Sequence, residues 1–181
     1  MDLHQSKNLF KEKPKTFDFV LLSLLTAMNM VLGEVLCITI STEIKIGFSF
    51  IPIFIAAYYY GVLGGVIVSG LGDFIAALIF PHGPFQPLFT LTAVITGALF
   101  GLFLKNNVNI YKIILAVLST QIICSLILNS LWIALLYATI EAFPLKILTR
   151  LPQVISMIPV QIILIPIIIK TGLSRLNIIK K

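Results

Sequence analysis

The sequence predicts an all-α integral membrane protein, a six-transmembrane-helix bundle with both termini cytoplasmic. Three observations carry this expectation. Hydrophobic residues fill 59% of the 181 positions and charged residues only 11%, against about 45–50% and about 25% in soluble domains. Six apolar runs with short polar breaks occupy almost the whole length, and an apolar helix needs about 20 residues to cross a bilayer. The charges are sorted as the positive-inside rule requires. With a cytoplasmic N-terminus, Lys7, Lys11, Lys13, Lys15, Lys105, Lys112, Lys170, Arg175, Lys180 and Lys181 fall inside, and Lys45, Lys146 and Arg150 outside, ten against three of the 13 basic residues.

The elements follow in order. Residues 1–16 are polar and basic and read as a cytoplasmic N-terminal segment, residues 17–169 as the bundle, and 170–181 as a cytoplasmic basic tail, all in one membrane domain. The crossings are expected at Phe17–Ile38, Phe50–Tyr60, Val62–Phe80, Pro87–Leu104, Tyr111–Ala138 and Leu151–Ile169. The second is short, with Pro52 near its first turn, where proline is tolerated. The fifth has 28 residues, about 42 Å of helix, so it must tilt or project from the membrane. Between the first two, Thr39–Ser49 alternates apolar and polar residues, with Ile40, Ile44, Ile46 and Phe48 on even positions. That period fits a short extended segment over the outer mouth, and equally an ordinary interfacial loop.

Several functions lose support at once. A net charge of +6 invites a nucleic-acid reading, but the basic residues cluster at segment ends and set topology instead. No G-x-x-x-x-G-K-[ST], H-E-x-x-H or G-x-S-x-G occurs, and His4 and His82 stand apart from both cysteines. ATP hydrolysis, metal binding, a cofactor and catalysis are therefore not expected. Cys37 and Cys124 lie in or beside apolar runs, where a small buried side chain is the expected role. A lipoprotein signal ending at Cys37 fails, because Leu36 stands where a small residue is needed, and no A-x-A site marks a cleaved leader.

Polar groups in the apolar runs are the candidates for binding. Glu34, Asp73, Arg150 and Gln153 lie at the outer ends of helices, with Asn129 and Trp132 deeper in the fifth. A carboxylate at membrane depth is costly and points at a partner or a cavity. Each candidate also has a plainer reading: Asp73 as a structural pair, Trp132 as an interfacial anchor, Arg150 as a loop terminus, Asn129 as helix–helix glue. Phe85 and Phe89 could be packing, yet their place beside the break at Pro81, Gly83, Pro84 and Pro87 favours a cavity wall. Ser23, Ala27 and Val31 repeat at four-residue spacing, as do Gly61, Gly65, Ser69 and Asp73, and Gly97 with Gly101; such spacings let helix backbones approach.

The stretch from Leu71 to Gly101 carries Gly72-Asp73, Phe80-Pro81-His82-Gly83-Pro84 and Phe89-Thr90-Leu91-Thr92-Ala93. Further on stand Asn129-Ser130-Leu131-Trp132, Leu135-Leu136-Tyr137, Arg150-Leu151-Pro152-Gln153 and Met157-Ile158-Pro159-Val160-Gln161, and Lys45–Pro52 reads Lys-Ile-Gly-Phe-Ser-Phe-Ile-Pro. In these motifs the chain resembles the S components of energy-coupling-factor (ECF) vitamin transporters, in their folate-type branch. Where folate-type members often carry Arg-Phe-Leu at the end of the first helix, this chain has Glu34-Val35-Leu36.

The resemblance implies a non-catalytic binding subunit in a bacterial cell membrane. It would take folate or a reduced folate from outside and deliver it with a transmembrane T subunit and two ABC-type ATPases. The loop around Lys45 would gate the ligand cavity, and Asp73, Phe85, Phe89, Thr90, Asn129, Trp132, Arg150 and Gln153 would line it. A carboxylate such as Asp73 can take two hydrogen bonds from the guanidine-like edge of a pterin, an aromatic can cover its face, and Arg suits the glutamate tail. The small-residue face at Ser23, Ala27 and Val31 would dock the T subunit, with Val31 replacing the second alanine of the family's A-x-x-x-A pattern. An S component for another vitamin, or a small membrane enzyme or assembly protein, are the rival readings.

Overall fold

The computed structural model describes residues 16–41, 44–81, 85–105, 109–137 and 143–170, with backbone only at 39–41, 44–45 and 137. Most of the expected N-terminal segment and basic tail, and His82–Pro84 of the Pro/Gly break, lie outside the described residues. Among the described residues five helices are long and apolar enough to cross a bilayer: Thr16–Val35, Phe50–Ile79, Pro87–Leu104, Ile110–Leu136 and Phe143–Ile168. The chain forms two compact units, Met1–Cys37 with Gly47–Val108, and Ile38–Ile46 with Asn109–Lys181.

The first unit holds α1 (Thr16–Met30), α2 (Phe50–Ile79) and α3 (Pro87–Leu104). Asp18 stands in the first turn of α1, where a carboxylate meets the positive end of the helix dipole. Past Met30 the helix widens into a π-helical turn, Val31–Val35, closed by the Leu36 N–H on the Val31 carbonyl at 3.0 Å. Helix α2 is two helical segments meeting at Gly61, whose φ of 67° and ψ of −146° are open only to glycine. The break falls between Tyr60 and Val62, where the sequence separates two crossings. The side chain of Lys105, at the end of α3, lies across it: a Cβ on Gly61 would meet Lys105 Cδ at 2.7 Å and Nζ at 3.3 Å. The ammonium thus stands by the C-terminal end of the first segment, where a cation is favoured.

Small residues set how α2 meets α3. A Cβ on Gly65 would strike the Gly97 backbone, one on Gly97 the Gly65 backbone, and one on Gly101 the backbone at Val62. Gly70 faces Val94, and Thr90 donates to Asp73 at 2.8 Å. Positions 62, 65, 70 and 73 therefore face 101, 97, 94 and 90, a single antiparallel register. Backbone-close packing of this kind replaces the hydrophobic drive that lipid does not supply. On the other side, Asn29 of α1 donates from Nδ2 to the Val68 carbonyl at 3.0 Å, in the space that Gly72 leaves. Tyr60 donates to Asp18 at 2.7 Å.

The second unit holds a hairpin, α4 (Ile110–Ser119), α5 (Asn129–Tyr137) and α6 (Phe143–Ile168). Strands β1 (Ile38–Ser41) and β2 (Ile44–Ile46) pair antiparallel, Ile38 with Ile46 and Thr39 with Lys45, so the alternating segment takes the extended course its period suggests. Strand β2 packs against α6. Between α4 and α5 the chain stays helical through a nine-residue π-helical run, Thr120–Leu128.

Helix α6 corrects the expected sixth crossing: it starts at Phe143, eight residues before Leu151. Pro144 stands in its first turn, where a missing N–H costs nothing, so Arg150 is a helical residue and not part of an outer loop. Pro152, Pro159 and Pro166 follow at seven-residue spacing, on one side of the helix. The opposite stripe, Val154, Met157, Gln161 and Ile165, is buried. Ser156 spends its hydroxyl on the Pro152 carbonyl at 2.7 Å.

Candidate functional site

In the first unit the α2–α3 register brings Asp73 and Thr90 together. The Thr90 hydroxyl donates to Asp73 Oδ2, leaving Oδ1 of the same carboxyl to accept from elsewhere. Glu34 stands on the π-helical turn that ends α1. Beyond the end of α2, the Phe85 ring meets Phe74 edge-to-face, with centroids 5.5 Å apart. Phe85 is exposed and Phe89, in the first turn of α3, is half-buried. One end of this unit thus combines a hydrogen-bonded carboxyl with open aromatic surface. That set can grip a flat ligand carrying N–H donors.

In the second unit Asn129 and Trp132 lie one turn apart on α5, and Arg150 and Gln153 one turn apart on α6. Residues spaced by three share a helix face, so each pair presents two polar or aromatic groups together. Helix α5 packs on α6. The Asn129 Oδ1 is buried and has no hydrogen-bond partner in the protein. Lys45 stands on β2, which also packs on α6; its side chain lies outside the described residues.

Ser23 and Ala27 of α1, and Val31 at the start of the π-helical turn that follows, are all exposed, whereas Leu25, Thr26 and Asn29 are buried. The Ser23 hydroxyl is tied to the Phe19 carbonyl at 2.8 Å, so this face presents small, apolar relief. Among the described residues no group of three or more His, Cys, Asp or Glu could hold a metal.

Sequence reasoning missed Phe74, the neighbour of Asp73 that pairs with Phe85. It also passed over Ser130 and Gln161, which are buried and each carry an oxygen without a partner. A signal existed for Gln161: it sits four residues after Met157, on the buried stripe. For Ser130 there was none, because its surroundings depend on a π-helical run that composition does not announce.

Comparison with known proteins places these features. The family model described as "ECF transporter, substrate-specific component" matches residues 17–171. The folate transporter FolT of Leuconostoc mesenteroides subsp. mesenteroides is 31% identical over 156 residues, covering 83% of each chain. The folate transporter FolT of Clostridium novyi is 33% identical over 123 residues, covering 67% of this chain and 70% of that one. A crystal structure of FolT bound with folic acid superposes with a TM-score of 0.74 at 29% identity, covering 82% of this chain and 90% of that one.

Proposed function

The chain belongs to the substrate-specific components of ECF transporters, and from that premise we propose that it binds folate or a reduced folate from outside the cell. A member of this family binds substrate and is not an enzyme. The observation that carries the ligand is the likeness to a FolT solved with folic acid, which spans 82% of this chain at 29% identity.

The chemistry of the candidate residues supports it. Asp73, steadied by Thr90, accepts the paired N–H donors of the pterin edge, and Phe85 and Phe89 offer apolar cover. Trp132 stacks on a ring of the ligand, with Asn129 able to exchange hydrogen bonds on the same face of α5. Arg150 and Gln153 meet the glutamate tail, for which a guanidinium fork is the natural partner. Lys45 adds a cation from the hairpin.

In the same reading the bilayer is crossed six times, because the two segments of α2 each cross and Gly61 turns the chain at the cytoplasmic surface. Both termini are then cytoplasmic, as the ten-to-three distribution of basic residues favours. A T subunit and two ABC-type ATPases drive delivery, with the Ser23, Ala27 and Val31 face as the docking strip. Calorimetric titration of the purified chain with folic acid, riboflavin and thiamine, without ATP, tests the ligand. Folic acid should bind and the others should not. A protein that binds another vitamin in preference to folic acid overturns the proposal.

A further inference from the structure

The helix formed by α4, the π-helical run and α5 is built in a way the binding role does not require. π-Helix usually occurs as a single-turn bulge, often at functional sites; here it runs for nine residues, Thr120–Leu128, and ends directly at Asn129. At the entry, the Thr120 hydroxyl reaches the Ala116 and Val117 carbonyls at 2.9 and 3.0 Å. At the exit, the Asn129 N–H reaches back five residues to the Cys124 carbonyl.

The consequence falls on Ser130. In the α-helical segments Ser23, Thr26, Ser69, Thr92, Thr96 and Ser156 donate to the carbonyl four residues earlier, Thr149 to the carbonyl three earlier and Thr90 to the Asp73 carboxylate. Ser130 is fully buried and its hydroxyl has no partner, although the Leu126 carbonyl stands four residues before it. The neighbouring Asn129 Oδ1 is buried and unpartnered too. Ser130 follows closely on the widened run, and an α-helical register there would offer it the Leu126 carbonyl. Two unsatisfied polar atoms in a membrane helix mark an arrangement that another register can improve.

We propose that Thr120–Leu128 is a register switch: holding ligand returns the run to α-helical hydrogen bonding and turns the Asn129–Tyr137 helix by one residue, about 100° about its axis. The turn satisfies Ser130 and re-aims Asn129 and Trp132, the two α5 residues assigned to the ligand. Ser130 is then a positioning residue, acting on the ligand only through the helix it belongs to. The inference rests on the folate reading for its ligand.

Spin labels on bioorthogonal side chains at Leu135 of α5 and Leu148 of α6, both exposed, read the turn by electron–electron distance. A turn of about 100° on a cylinder 10–12 Å wide carries a side chain across about 8 Å, so saturating folic acid should shift the distance by several ångströms. The same samples are titrated calorimetrically. Folate heat without a distance change overturns the switch alone; no folate heat removes the functional reading and the switch with it. Ser130→Ala gives a second measure, made without labels. It removes the gain of the α register and the loss of the π register together, so folate affinity should weaken about tenfold. If Ser130 serves only packing, Ser130→Ala leaves affinity unchanged, and the proposal falls.

Discussion

A single methyl group at Gly97 tests whether the α2–α3 register governs Asp73 and Thr90, two of the residues proposed to bind the ligand. A Cβ there overlaps both the Ser69 hydroxyl and the Gly65 carbonyl, and because the second obstruction is backbone the helices must move apart. Overpacking of this kind costs about 1–3 kcal/mol, while replacing a helical glycine by alanine returns about 0.8–1 kcal/mol. With backbone in the way the upper end of that cost applies, so Gly97→Ala should lose about 2 kcal/mol. Gly70→Ala is the matched control, because its Cβ meets only the Val94 Cγ2 methyl at 2.8 Å, the end of a side chain that can shift. An off-rotamer valine costs about 0.5–1.5 kcal/mol, which the same alanine gain offsets to near zero. Unfolding by a graded denaturing detergent measures both variants, and folic acid titration follows. Thr90 lies two turns from Gly97 on the same seam, so widening it should pull the hydroxyl from Asp73 and weaken folate in Gly97→Ala alone. Equal stability of Gly97→Ala and wild type, or equal damage from Gly70→Ala, would refute the reasoning.

Further outcomes can be measured separately. Arg150→Ala should weaken folate by roughly ten- to 150-fold, the loss of a charge-assisted contact of about 1.5–3 kcal/mol, and spare a pterin without the glutamate tail; Trp132→Ala should weaken both, and equal losses on Arg150→Ala remove the tail assignment. Ala27→Trp should block co-purification with the T subunit and ATPases while folate affinity stays within a few fold, because Ala27 is exposed on the strip opposite Asn29; lost binding with normal assembly would place it in the ligand site. Single cysteines at positions 83 and 141 should react with an impermeant reagent from outside intact cells and one at 106 should not; labelling at 106 would invert the topology.

How much of this was legible depended on which physical signal each feature leaves in the sequence. Apolar runs and their breaks are compositional, so the helices could be placed within a few residues, including the division of α2 at Gly61. Alternation over Thr39–Ser49 fitted an extended segment and an interfacial loop equally, and it is the pairing of Ile38–Ser41 with Ile44–Ile46 that decides for the first. The start of α6 was not visible, because Pro144 and Lys146 read as a loop although proline in the first turn suits a helix start. Glycine and serine at four-residue spacing announced close packing without naming the partners; only the structure sets Gly65 against Gly97 and thereby Asp73 against Thr90. The π-helical run carries no composition of its own, so the isolation of Ser130 could be found only in three dimensions.

The break at Gly61 also has a mechanical meaning. One residue joins the Phe50–Tyr60 segment to the segment that begins at Val62, and that residue sits in a conformation with no alternative for a side chain. A joint so short leaves no loop between the two segments, so the bend itself must sit beside α3. The glycine seam then fixes the second segment against α3 as far as Asp73 and Thr90. Three lengths of helix with separate places in the sequence thus share one close-packed contact, with Lys105 laid over the bend.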